Sequence, residues 1–180
     1  ASVGSFPSVT TSPNSRCGTG TVTLGATASS GTINWYAAST GGSSLSTGTS
    51  FTTPSISTTT TYWVDATNNG CTTPTRTSVL ATINPLPTIT STTPGSRCGT
   101  GTVTLGATAS SGIINWYAAS TGGSSLGTGT SYTTPSISST TTYWAEAVDG
   151  SCISSTRTSV EASVVSSAPL PTVAPVEYCQ

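Results

Sequence analysis

The sequence predicts an all-β chain of two small antiparallel sandwiches in tandem, and three observations carry that prediction. Cys17 returns as Cys98 and Cys71 as Cys152, both at an offset of 81 residues, with the stretch between them little changed. Such a period divides the 180 residues into two modules of about 80 residues each. The apolar residues fall in short runs (TVTL, INWY, TYWV, SVLATI) with the period of two that marks half-buried strands. No stretch carries a 3.6-residue apolar stripe or a helix capping box.

Taken in order, residues 1–16 are a Ser/Pro-rich lead-in with an edge strand near 8–11, where prolines are tolerated. Residues 21–27 form the next strand, with Val22, Leu24 and Ala26 on one face. Ser29-Ser30-Gly31 turns the chain into a strand over 33–37, whose Ile33, Trp35 and Ala37 share a side. Turn residues at 41–44 lead to a short strand near Leu45 and another over 50–56. Residues 60–66 are a strong strand with Tyr62, Val64 and Ala66 inward, followed by the turn Asn68-Asn69-Gly70. Residues 76–83 make the last strand, and Pro85-Leu86-Pro87 stiffens the junction. The predicted core is therefore centred on Trp35 and Tyr62, and on Trp116 and Tyr143 in the second copy. The module boundaries are 1–85 and 86–168. Residues 169–180 are a linker and the start of a third copy, because Cys179 falls another 81 residues after Cys98. With no initiating Met and no signal peptide, the expectation is an internal piece of a longer array.

Composition narrows the function classes. About two-fifths of the residues are Ser or Thr, so the outer faces are rich in hydroxyls. The cations are Arg16, Arg76, Arg97 and Arg157 with no Lys, too few and too scattered for nucleic acid or an anionic membrane surface. No apolar run is long enough to insert into a bilayer. Cysteines in a fixed register without His indicate an oxidising exterior rather than a metal site.

The pattern C-G-x-G-x-V-T-L, then WY, TTYWV, GC and SVLATI resembles the Ig-like repeats of giant cell-surface proteins of the Bacteroidota. The resemblance covers both modules. It implies two Ig-like or fibronectin-III-like sandwiches arranged end to end. It also implies export by the type 9 secretion system and a role as an adhesin, gliding motility being one such use. In that architecture Tyr62 sits where a tyrosine corner is expected.

Three groups of residues are candidate sites. The simplest cysteine pairing is Cys17–Cys71 and Cys98–Cys152, each loop worth roughly 4 kcal/mol by chain entropy. This pairing within modules is the favoured one; were Ig-like topology to set the two members of each pair at opposite poles, the alternative would be a Cys17–Cys152 staple across the junction. Cys179 lacks its own module's partner. The second group is the outward parity of the sheet, where Tyr36 and Trp63, then Tyr117 and Trp144, form a candidate ligand face for a sugar. Its plainer reading is a cross-strand aromatic pair. The third is Asp65 with Arg76 and Glu146 with Arg157, expected as exposed cross-strand ion pairs worth under about 1 kcal/mol. There Arg76 could lie over the Trp63 ring.

No catalytic constellation emerges. Without His there is no His-based triad and no His-ligated metal. No close carboxylate pair recurs in both copies, and the glycines of CGTG precede a strand, not a phosphate-binding helix. Calcium would need more acidic ligands than the junctions offer. The expectation is a non-enzymatic, cofactor-free extracellular stalk whose partners are its neighbouring modules. A surface polysaccharide, host or substratum would be reached by the adhesin that it carries. The competing expectation is a glycan-binding module that uses the face of Tyr36, Trp63, Arg76, Tyr117, Trp144 and Arg157.

Overall fold

The computed structural model describes residues 5–165. The chain divides into two compact units between Leu86 and Pro87, and the expected start of a third copy lies outside the described residues. Among these residues there are strands and no helix.

In the first unit the strands are β1 (Val9–Ser12), β2 (Asn14–Cys17), β3 (Thr23–Ala28), β4 (Thr32–Tyr36), β5 (Ser46–Thr47), β6 (Ser50–Thr52), β7 (Thr60–Asn68), β8 (Cys71–Thr72) and β9 (Thr77–Asn84). One sheet runs β1-β3-β6, and the other runs β2-β9-β7-β4-β5 with β8 on β7. The edge strand predicted near 8–11 is thus only half of the story. The chain leaves β1, which is antiparallel to β3, and re-enters the opposite sheet as β2, which is parallel to β9. Pro13 sits at the crossover, where its missing N–H could not have served a continuous ladder.

The second unit repeats this plan as β10 (Ile89–Thr93), β11 (Gly95–Cys98), β12 (Thr104–Ala109), β13 (Ile113–Tyr117), β14 (Gly127–Thr128), β15 (Ser131–Thr133), β16 (Thr141–Asp149), β17 (Cys152–Ile153) and β18 (Thr158–Val165). Its sheets are β10-β12-β15 and β11-β18-β16-β13-β14, and Pro94 occupies the place of Pro13.

Alternation puts the core where the sequence placed it. Trp35 and Trp116 are wholly buried, and each indole donates to a backbone carbonyl, Gly48 at 2.8 Å and Gly129 at 2.9 Å. That bond satisfies the one polar atom of the largest core side chain. Trp35 stacks on Phe51 at 5.4 Å, and Phe51 meets Tyr62 edge-on at 5.2 Å. Tyr132 replaces Phe51 in the second unit, between Trp116 and Tyr143. The hydroxyls of Tyr62 and Tyr143 make no hydrogen bond within the described residues, so the expected tyrosine corner is absent and these rings serve by packing alone.

The abundant threonines pair across the solvent faces, as in Thr10 with Thr27 at 2.6 Å and Thr23 with Thr52 at 3.1 Å. Such pairs stabilise a sheet without apolar surface. The CGTG glycines have a steric task. A Cβ on Gly20 would stand 1.9 Å from Nη1 of Arg16, whose guanidinium lies across that backbone.

Candidate functional site

The site grows from strand register. Asn34 on β4 faces Asp65 on β7, and Tyr36 faces Trp63. Strands β7 and β9 pair Tyr62 with Val79 and Val64 with Thr77. One step beyond that ladder brings Arg76 to Asp65, and Arg76 Nε donates to Asp65 Oδ2 at 3.3 Å.

The pair was expected to be exposed, and this is corrected. Asp65 is 5% exposed, and the Arg76 side chain 14%. The cause is the path of the arginine, which folds back over the sheet instead of extending into water. Its Nη1 donates to the carbonyls of Ala38 at 2.9 Å and Gly41 at 2.7 Å, in the loop that follows β4. Those bonds draw the guanidinium over Tyr36, with Cζ 3.2 Å from the ring centroid. The cation therefore covers Tyr36, not the expected Trp63. Asn34 completes the acid's shell, donating to Asp65 Oδ1 at 2.9 Å.

The second unit builds the same device with one substitution of parts. Arg157 Nε donates to Glu146 Oε1 at 3.1 Å, and Nη1 donates to the carbonyls of Ala119 and Gly122. The guanidinium carbon lies 3.3 Å from the Tyr117 centroid. Here the second carboxylate oxygen accepts from the Tyr117 hydroxyl at 2.9 Å. Burial first, and then the bond to Glu146, push the Tyr117 phenol above the ordinary tyrosine range.

Beside each pair lies an open cleft, of about 420 Å³ in the first unit and about 480 Å³ in the second. Their linings correspond position by position at the repeat offset. Ser39, Thr40, Thr75 and Arg76 recur as Ser120, Thr121, Thr156 and Arg157. Of the candidate ligand face, then, Tyr36 and Tyr117 lie beneath guanidinium groups, while Trp63 and Trp144 remain partly exposed. The clefts were not foreseen from sequence. The available signal was that two of only four arginines occupy the same module position beside an acid.

The favoured cysteine pairing is also corrected. Cys71 and Cys98 are free thiols, whereas Cys17 and Cys152 are disulfide-bonded. Within the first unit Cys17 lies beside Asn84 at the end of β9, near the start of β7, while Cys71 faces Asn68 at the end of β7. The nine residues of β7 span roughly 27 Å at the strand rise. A disulfide needs Cα atoms within about 7 Å. Cys98 and Cys152 are separated in the same way by β16. Cys179 lies outside the described residues.

Among the described residues no group of three or more His, Cys, Asp or Glu could hold a metal ion. Among the same residues no helix is long and apolar enough to cross a membrane.

A family model described as "Ig-like domain CHU_C associated" matches residues 5–85 and again 86–165. Among solved structures, the chain resembles the fibronectin(III)-like modules of Clostridium thermocellum CbhA at 16% identity and a TM-score of 0.44. That match covers 94% of this chain and all of the other. It also resembles Sidekick-1 immunoglobulin domains 1–4 at 15% identity and a TM-score of 0.50, covering 88% of this chain and 48% of that one. No curated protein matches the chain. At these identities the structural likeness speaks to fold alone.

Proposed function

This chain belongs to the CHU_C-associated Ig-like domain family, and we propose from that premise that it is a non-catalytic spacer in a large cell-surface adhesin. The observation that carries the reading is the repetition itself. Two units with the same strand plan follow one another at a fixed offset, each with its own core and its own arginine-tied loop. Repetition supplies length, and small self-contained sandwiches supply resistance to unfolding. The parent adhesin would be a type 9-secreted protein of the Bacteroidota, acting in surface attachment such as gliding.

The cysteine states support a further element of this reading. Cys17 and Cys152 are bonded while the other two described cysteines are free, which favours a single Cys17–Cys152 bond. Such a bond would enclose most of both modules in one covalent loop and carry tension past their folds. Disulfide-bonded cysteines in a Thr-rich β chain also support an extracellular setting.

Trypsin tests the pairing without reduction, because cleavage after Arg16, Arg76, Arg97 and Arg157 leaves Cys17 with Cys71 in one peptide and Cys98 with Cys152 in another. The spacer reading expects those two peptides joined, with Cys71 and Cys98 open to alkylation. Two separate, internally bonded peptides would overturn it.

A further inference from the structure

We propose that the cleft beside Arg76, and its counterpart beside Arg157, is a saccharide subsite that takes the hydroxyls of a neutral sugar. The inference goes beyond the spacer reading and does not depend on it. Three features of the clefts carry it.

The first is an unspent pair of donors. Nε and Nη1 of each arginine are committed to the acid and to two carbonyls, so the guanidinium is held rigidly. Nη2 makes no hydrogen bond within the described residues. It also keeps contact with solvent, since the sole buried, unpartnered side-chain polar atom there is Arg16 Nε. The Arg157 side chain is only 10% exposed. A fixed donor of this kind costs a ligand little to engage, because its rotamer entropy is already spent.

The second is the rim. Ser39, Thr40 and Thr75 line the first cleft, and their hydroxyls make no hydrogen bond within the described residues. Ser120, Thr121 and Thr156 repeat this arrangement in the second. In the same linings Thr73 and Ser154 already bond to the backbone of Ala66 and Ala147, so the three hydroxyls named on each rim are the ones that remain open to a ligand.

The third is charge. Each arginine is neutralised by its own carboxylate at 3.3 Å or 3.1 Å. An anion would gain little net attraction and would meet the acid's repulsion. A neutral hydroxyl can accept from Nη2 and donate to a rim oxygen or to the carboxylate's remaining lone pair. Cleft volumes of about 420 and 480 Å³ fall within the range of small-molecule sites. No aromatic ring lines either cleft, so each contact is weak, with a Kd on the order of millimolar. Repeated equivalent subsites on one chain would then bind a polysaccharide through avidity.

The test is an amide NMR titration of the oxidised two-module chain with methyl glucoside, glucuronate and inorganic phosphate at constant ionic strength. The proposal expects methyl glucoside to shift amides in 39–41 and 73–76, and in 120–122 and 154–157, with saturation. Phosphate should leave them in place. The quadruple variant Thr40→Val, Thr75→Val, Thr121→Val and Thr156→Val should bind at least about fivefold more weakly. Its other resonances should stay unmoved, which certifies the fold. Trp63→Ala with Trp144→Ala should bind as the parent does. No cleft shifts up to about 100 mM glycoside would overturn the proposal. So would shifts induced only by glucuronate or phosphate, or binding lost with the tryptophans but kept in the threonine variant.

Discussion

The two modules solve one problem with different parts. In the first, Asp65 is short, and the neighbour on β4 that reaches its second oxygen is Asn34, directly across the strand. In the second, Glu146 is longer by a methylene and accepts instead from Tyr117, two residues further along the same strand. Tyr117 is accordingly more buried than Tyr36. The arginine, its two loop carbonyls and its seat on the tyrosine ring do not change. The lesson is that the arginine sets the geometry, and the acid's other partner adapts to it.

Removing the arginine should have the largest effect and should separate the modules. Arg76→Ala strands a carboxylate that is 6% exposed, at a cost of about 3 kcal/mol. Arg157→Ala should cost less, about 2 kcal/mol, because Glu146 is 16% exposed and keeps the Tyr117 hydroxyl. Hydrogen exchange resolved on β7 and β16 reads the two units separately within the whole chain. Equal losses would break the comparison.

Next comes the phenol. Tyr117→Phe removes a hydrogen bond to a charged group and should cost about 1.5 kcal/mol. Tyr36→Phe, whose hydroxyl has no protein partner among the described residues, should cost under about 0.5 kcal/mol. The same exchange experiment distinguishes them.

Alkali should also divide the units. Burial pushes up the phenols of Tyr62 in the first unit and of Tyr117, Tyr132 and Tyr143 in the second. A phenol whose folded pKa is raised keeps its proton longer folded than unfolded. Its contribution is whole below the ordinary tyrosine range near 10 and is lost as pH climbs through and beyond it. The second unit, with three such groups against one, should open at lower pH. Amide spectra recorded as pH rises would reveal the order, and simultaneous opening would contradict it. The smallest contrast is Asn34→Ala, at about 1 kcal/mol, against a near-neutral Asn115→Ala.

Much of this was legible from residues 35, 62, 65 and 76. Alternation by two fixes which side chains enter the core, and antiparallel numbering alone brings Asp65 opposite Arg76. What escaped was the direction of a long side chain. Trp63 and Tyr36 are neighbours on one face, and only the carbonyls of Ala38 and Gly41, in a loop of irregular path, pull the guanidinium toward Tyr36. Periodicity does not describe such loops. The clefts escaped for the same reason, since loop residues form one wall. The cysteines show a related limit. Equal spacing offered a symmetrical pairing within modules, and the pole-to-pole length of β7 forbids it.

Single-molecule stretching of the oxidised chain from its two ends tests the proposed spacer role most directly. A Cys17–Cys152 bond, as proposed, would keep the residues between them from lengthening, so the oxidised chain should show no module-sized extension. Reduction should then release two steps on the order of 250 Å each, the length of a module's chain less its folded span. Two full steps from the oxidised chain at low force would contradict the account.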